Sequence, residues 1–315
     1  MPSKEFHQVT WDAQLQADWQ QLLELAVQED LGQQGDWTTR ALVPADVVGR
    51  AAVVCRQPGV VAGLAAVATA LGRFEPRLRW SPEAEDGRLL QRGQRIGAIE
   101  GPARGLLAAE RVLLNLLGRL SGIATLTRRY VDAVAGTKAR IYDTRKTTPG
   151  WRRLEKYAVR CGGGWNHRSG LFEAVLIKDN HLALGAQLSP TGTARYTPAE
   201  AVVRARRFVQ TPSNAAADAA MIVEVEVDTL QQFDEVLAVG PDLVLLDNMA
   251  PAELREAVAR RNAAHAAVEL EASGGVDLGT VRRIAETGVD RISVGALTHS
   301  AVALDIALDW LPGQP

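Results

Sequence analysis

The second half of the chain repeats one pattern: a short apolar run ends in a polar residue, a turn follows, and apolar positions then recur at helical spacing. The runs are ARIYDT (139–144), AVLIKD (174–179), MIVEVEVD (221–228), DLVLLD (242–247), AVELEAS (267–273) and RISVG (291–295). Helical segments follow most of them: 197–210, 229–240, 250–261, 277–288 and 299–310. Such alternation predicts parallel strands joined by crossover helices, in either a doubly wound sheet or a TIM-like barrel. Period two sets Glu224, Glu226 and Asp228 on one face of their strand, opposite Val223, Val225 and Val227. Glu269, Glu271 and Ser273 likewise lie opposite Val268, Leu270 and Ala272. A doubly wound sheet covers both faces with helices and reads as nearly continuous apolar strands, so polar faces favour a barrel whose inner wall opens into a site at the strands' C-terminal ends. With six such runs, the barrel is expected to be incomplete.

The first part of the chain is mixed. An amphipathic helix is expected from about Asp18 to Gly32, followed by short strand-like runs such as AAVVCR (51–56) set off by Pro and Gly. Residues 106–135 carry apolar positions at helical spacing, and Ser121–Gly122 predicts a break into two helices. The expected architecture is α/β: an N-terminal α+β sandwich domain over residues 1–116, joined by a C-terminal helix over 298–315, and an α/β barrel over 117–297.

Composition narrows the classes of partner. The 315 residues carry a formal net charge of −2, which gives no reason to expect nucleic acid or an anionic membrane as partner. Cys55 and Cys161 have neither CxxC nor zinc-ligand spacing, so reduced, packed thiols in a cytoplasmic protein are expected. The N-terminal segment lacks the apolar core of a signal peptide, and 60–71 is too short to span a bilayer, so a soluble, intracellular protein is expected.

Basicity is local. Residues 143–181 hold eight Lys or Arg against four Asp or Glu. Arg145 and Lys146 follow one run, His167 and Arg168 follow three glycines, and Lys178 ends another run, an arrangement suited to a small anionic ligand. The C-terminal strand ends add Glu226, Asp247, Glu271 with Ser273, and Ser293–Val294–Gly295. A helix cap or salt bridge explains any one of these; six successive strand ends explain a barrel mouth better. In SGGVDL and VGALTHS the backbone N–H groups of Gly274, Gly275, Gly295 and Ala296 are placed to receive a phosphate where a helix opens. Glu226 and Asp247 facing such a ligand would hold Mg²⁺ or bind sugar hydroxyls and stabilise developing positive charge. His167 is open to two readings, general acid–base or hydrogen-bond donor to a carboxylate. Arg152, Arg153, Lys156 and Arg160 are read as the solvated face of a helix over 151–161 and left out of the site.

In order along the chain, ERVLLNLLGRLSGIATLT, DTRKTTPGWRRLEKYAVRCGGGWNHR, LIKDNH, VEVEVD, LLDN, LEASGGV and GVDRISVGALTHS resemble the quinolinate phosphoribosyltransferase family, as does EDLGQQGDWTTRALV near the N-terminus. The resemblance covers nearly the whole chain and departs at Trp151 and at Phe172–Glu173. It implies that quinolinate and phosphoribosyl pyrophosphate yield nicotinate mononucleotide, pyrophosphate and CO₂, with Mg²⁺, in NAD biosynthesis. It implies catalytic roles for Lys146, Lys178, Glu226 and Asp247, with Glu226 and Asp247 as direct or indirect Mg²⁺ ligands. Substrate binding would add Arg111, Thr144, Arg145, His167 and Arg168, and phosphate binding Ser273, Gly274, Gly275, Ser293, Val294, Gly295 and Ala296. The arginine at 111 is expected to enter the neighbouring subunit's site in a homodimer. Rival readings are a phosphoribosyltransferase for a monocarboxylate such as nicotinate, and a phosphometabolite-binding homologue without turnover.

Overall fold

All six strand-like runs form strands of one parallel sheet. In the computed structural model, which describes residues 5–185, 195–211 and 221–311, the order is Arg140–Tyr142, Arg291–Ser293, Glu269–Ser273, Leu243–Asp247, Ile222–Val227 and Ala174–Ile177. Beyond the first of these, Trp165 continues the pairing as an isolated parallel bridge to Tyr142. The barrel is therefore open, as expected from the number of runs. Helices Pro198–Val209, Leu230–Leu237 and Pro251–Ala263 follow the expected segments; Thr197 and Thr229 cap the first two by accepting the Glu200 and Gln232 N–H groups, and at the third the Ala250 N–H donates to the Glu253 side chain.

Two compact units emerge. One, the barrel unit, comprises Met1–His7, Tyr130–Arg145 and Trp165–Gly295; the other comprises Gln8–Arg129, Lys146–Gly164 and Ala296–Pro315. The second unit holds a four-stranded antiparallel sheet in the order Ile306–Trp310, Val48–Cys55, Arg95–Pro102 and Arg79–Pro82. Its core packs Val53, Val67, Leu71, Ile96 and Ile99 against Leu106, Leu113 and Leu117 of a long helix. The first helix runs Ala13–Leu31, earlier than expected, because Asp12 caps it by accepting from the Leu15 N–H at 2.8 Å.

Three expectations fail here for physical reasons. The predicted pair of helices is one helix, Ala103–Ala133. Gly122 does not break it; a Cβ there would lie 2.1 Å from the Val302 carbonyl oxygen, so glycine admits a passing segment of chain. Leu304 N–H, in that segment, donates to the Gly118 carbonyl at 2.8 Å. The predicted C-terminal helix is absent over the described residues. After the four-residue helix Ala296–His299 the chain extends, and Ile306–Trp310 pairs antiparallel with Ala51–Cys55. Sheet pairing overrides a helical apolar pattern because it satisfies backbone groups along an edge while burying Leu304 and Ile306. Residues 312–315 of that predicted helix lie outside the described residues. The helix Arg152–Cys161 does form, but not with a solvated cationic face: Lys156 and Glu155 are fully buried. Arg153 faces Asp18 at 3.2 Å, and Arg160 donates to the Gly164 carbonyl.

No helix among the described residues is long and apolar enough to cross a membrane. Cys55 and Cys161 are free thiols, and burial raises the pKa of both, Cys161 to about 12, which keeps them protonated and unreactive.

Candidate active site

Alternate residues of the barrel strands stack a polar interior in three tiers. At the floor, Arg291 is fully buried between Glu269 and Glu5, with Nη1 3.2 Å from Glu5 Oε1. Arg140 Nη1 and the Tyr142 hydroxyl donate to the other Glu5 oxygen at 3.0 and 2.8 Å. At the waist, Glu224 and Glu271 are fully buried beside His167. At the mouth, Glu226 stands one residue before the end of its strand and Asp247 and Ser273 end theirs, the last two directly paired in register.

The mouth sets like charges side by side. Burial first, and the neighbouring Arg145 charge second, lower the pKa of Arg168, while Glu224 and Glu173 act in the opposite sense. Arg168 is nearly buried and donates from Nη1 to the Ala174 carbonyl at 2.8 Å. Lys178 donates to Glu226 Oε2. Burial still raises Glu226 above its ordinary value against that bond, with Asp247 and Asp179 adding to the rise. Two guanidinium groups thus stand together, and an ammonium bridges toward a carboxylate pair: a site poised for a ligand with several anionic groups and a cationic centre. Among the described residues Thr144, Arg145, His167, Arg168, Lys178, Glu226 and Asp247 all belong to this unit, as do Ser273, Gly274, Gly275, Ser293, Val294 and Gly295. Arg111, Lys146 and Ala296 belong to the other unit. Arg111 is exposed on the long helix rather than part of its core, and the Lys146 carbonyl accepts from the Thr298 hydroxyl at 2.7 Å.

His167 is turned into the protein. Its Nδ1 accepts the Arg168 backbone N–H at 2.8 Å, so that nitrogen carries no proton and the ring proton sits on Nε2. Nε2 lies 3.1 Å from Glu224 Oε2 and 3.6 Å from Glu271 Oε1. Asp143, also fully buried, accepts the His167 backbone N–H at 2.8 Å and the Asn166 amide at 2.7 Å. With both ring nitrogens engaged inside the barrel, the carboxylates that His167 meets are the protein's own. His167, Glu224 and Glu271 have the composition of a metal site, their ligand atoms all lying within 4.8 Å of one another. The tautomer argues against one, because a metal needs the Nε2 lone pair that the ring proton occupies. Glu271 is instead pushed up to about 7, by burial first and with Glu224 contributing, while His167 opposes the rise.

The two phosphate-loop expectations fare differently. Gly295 leads directly into the four-residue helix Ala296–His299, as expected. Gly274 and Gly275 do not open a helix; the next one begins only at Val281. Gly274 has φ 91° and a Cβ there would lie 2.0 Å from Asn248 Oδ1, so glycine lets Asn248 pack close and donate to Asp247 at 2.6 Å. Asn248 itself takes φ 54°, and its N–H donates to the Ser273 carbonyl at 2.9 Å. Asp143, Asn166, Asn248 and Glu224 were not among the predicted site residues. Period two had already put Glu224 on the inner face, whereas the three amide and carboxyl groups act on neighbours that only the fold supplies.

A family model for quinolinate phosphoribosyl transferase, C-terminal domain, matches residues 123–309, and one for the N-terminal domain matches 36–121. The chain is 47% identical over 286 residues to the nicotinate-nucleotide pyrophosphorylase (carboxylating) of Mycobacterium leprae, covering 90% of this chain and 94% of that protein. It is 39% identical to the probable enzyme of the same name from Bacillus subtilis, covering 89% of each. The solved nicotinate-nucleotide pyrophosphorylase of Francisella tularensis superposes with a TM-score of 0.83 at 34% identity, covering 94% of this chain and 97% of that one.

Proposed function

Since the chain belongs to the quinolinate phosphoribosyltransferase family, we propose that it is a decarboxylating phosphoribosyltransferase. It converts quinolinate and phosphoribosyl pyrophosphate to nicotinate mononucleotide, pyrophosphate and CO₂. The observation that carries the reading is the adjacency of Arg145 and Arg168 at the same barrel mouth as Lys178, Glu226 and Asp247. Planar guanidinium forks bind carboxylates bidentately, so two of them at one mouth suit a ligand with two carboxylates. Quinolinate brings two on adjacent carbons.

Catalysis then needs positioning and electrostatics. Arg145 and Arg168 hold the diacid with its ring nitrogen toward the ribose carbon, while Lys178 offsets charge on the leaving pyrophosphate. Glu226 and Asp247 face the ribose, whose ring gains positive charge as the bond to pyrophosphate lengthens. Once ribosylated, the ring nitrogen is cationic and stabilises the electron pair left when the neighbouring carboxylate departs as CO₂. His167 takes no proton in this sequence, because both its nitrogens are committed within the barrel.

Glu226 and Asp247 suit Mg²⁺ by donor chemistry, two neighbouring carboxylates whose proximity raises Glu226. One Glu226 oxygen is held by Lys178, so the ion would draw most of its ligands from water and from phosphate and ribose oxygens. It would neutralise the leaving pyrophosphate. Lys146 as a further cation and a homodimer with Arg111 entering the neighbouring site complete the proposal, as does a cytoplasmic location. Incubation with quinolinate, phosphoribosyl pyrophosphate and Mg²⁺ should give nicotinate mononucleotide and CO₂ in equal amounts. Turnover of nicotinate without CO₂ would replace the reading by the monocarboxylate one, and binding without any product would refute it.

A further inference from the structure

Phe6 is buried at 3% exposure although it precedes the first helix and lies outside both matched stretches, 36–121 and 123–309. It packs with Tyr142 and with Ala174, Ile222 and Leu243, which are the first residues of their strands. The ring therefore closes the barrel from its N-terminal end, opposite the mouth. One of its contacts is chemical as well as steric: Phe6 stacks on the His167 imidazole, ring centroids 4.3 Å apart and planes inclined by 27°. The Arg291 guanidinium stands 5.4 Å from the Phe6 centroid.

Its neighbours in sequence fix it. Glu5 joins the floor network of Arg140, Tyr142 and Arg291, and the His7 N–H donates to Glu173 at 2.8 Å. The other Glu173 oxygen accepts the Ser169 N–H, so the N-terminal segment is tied to the loop that follows Arg168. His167 is thus enclosed. Phe6 lies against its ring, Glu224 and Glu271 face Nε2, and the Arg168 N–H closes Nδ1. An imidazole held this way has one orientation, and the peptide bonded to it has one as well.

Resting on the function proposed above, we infer that Phe6 is a positioning residue for the dicarboxylate: stacked on His167, it fixes, through the hydrogen bond from the Arg168 backbone N–H to His167, the stretch of chain that carries the Arg168 guanidinium toward a substrate carboxylate. A plain core plug would, on removal, lower stability and disturb all kinetic constants together. A positioning residue affects recognition of the diacid selectively.

The test uses the full chain and steady-state kinetics well below each variant's Tm. Phe6→Ala should raise the KM for quinolinate about ten-fold, while kcat and the KM for phosphoribosyl pyrophosphate stay within about two-fold. Phe6→Tyr keeps a flat ring and should recover most of the loss, whereas Phe6→Leu, similar in bulk but without a flat face, should recover little. A quinolinate KM within two-fold of wild type in a folded Phe6→Ala protein overturns the inference. So does recovery by Leu equal to that by Tyr, or a parallel shift in all three constants. If Phe6→Ala does not fold, the Leu and Tyr pair decides on the same criteria. Wild-type enzyme giving no nicotinate mononucleotide would refute the proposed function itself, an outcome separate from failure of the Phe6 assignment.

Discussion

The floor and the mouth of the barrel are both rich in charge, yet they are wired oppositely. At the floor each cation meets an acid of the protein: buried Arg291 lies between Glu5 and Glu269, and half-buried Arg140 shares Glu5. At the mouth Lys178 pairs with Glu226, but charges of one sign also adjoin: Arg145 beside Arg168, Glu226 beside Asp247. Compensated buried charge stabilises one packing, because removing either partner strands the other in a low-dielectric interior. Juxtaposed like charge is a cost that a ligand of the opposite sign removes, and this supports the proposal of the mouth as the binding end. Between them the waist belongs to neither class. Apart from the imidazole, neither Glu224 oxygen finds a hydrogen-bond donor among the described residues.

If this contrast holds, the largest effect comes from the mouth. Arg145→Ala should cut kcat/KM for quinolinate by about a thousand-fold, the scale of losing a charge-assisted bidentate contact, with little change in the urea midpoint. A variant that turns over normally would remove Arg145 from recognition. The floor should answer in the other currency: Arg291→Ala strands Glu269 and Glu5 and should lower the unfolding free energy by about 3–5 kcal/mol in urea titration. If its stability were normal while its quinolinate KM rose, floor and mouth would not be separable.

Asp247→Asn should lower kcat about a hundred-fold and leave the quinolinate KM within a few-fold, since ribose charge develops only in the transition state. An unchanged kcat would exclude that role. The smallest and most diagnostic effect belongs to the waist. Folded Glu271 holds a proton up to about pH 7, whereas the unfolded residue releases it near 4.5. The folded state therefore binds more protons across that window, and stability should fall as pH rises through it. Glu271→Gln carries no titrating group and should gain stability relative to wild type as pH rises from 4.5 to 7. Parallel stability–pH curves for the two proteins would show that Glu271 is ionised throughout.

Much of this arrangement was readable in advance. Six apolar runs became six parallel strands in one sheet because each is long enough to pair and is followed by a segment able to cross over it. Period two told Glu224 and Glu226 apart from the valines between them, and strand ends marked Lys178, Asp247 and Ser273. Those signals are local, since alternation and chain direction are properties of a few consecutive residues.

Other features depended on distant chain. Gly122 looked like a helix breaker and is a gap for Val302; 306–310 looked helical and is an edge strand. Lys156 looked solvated and is buried. Phe6 and Glu5 carried no motif at all, and their contacts exist only because the fold brings them to the barrel strands. From the residue order alone came the strands, their polar faces and the identity of the charged groups, because spacing along one strand decides which side chains share a face. Only folding decided which charges were set beside opposite charge and which beside like charge, because that depends on groups brought from elsewhere in the chain into a space from which water is excluded.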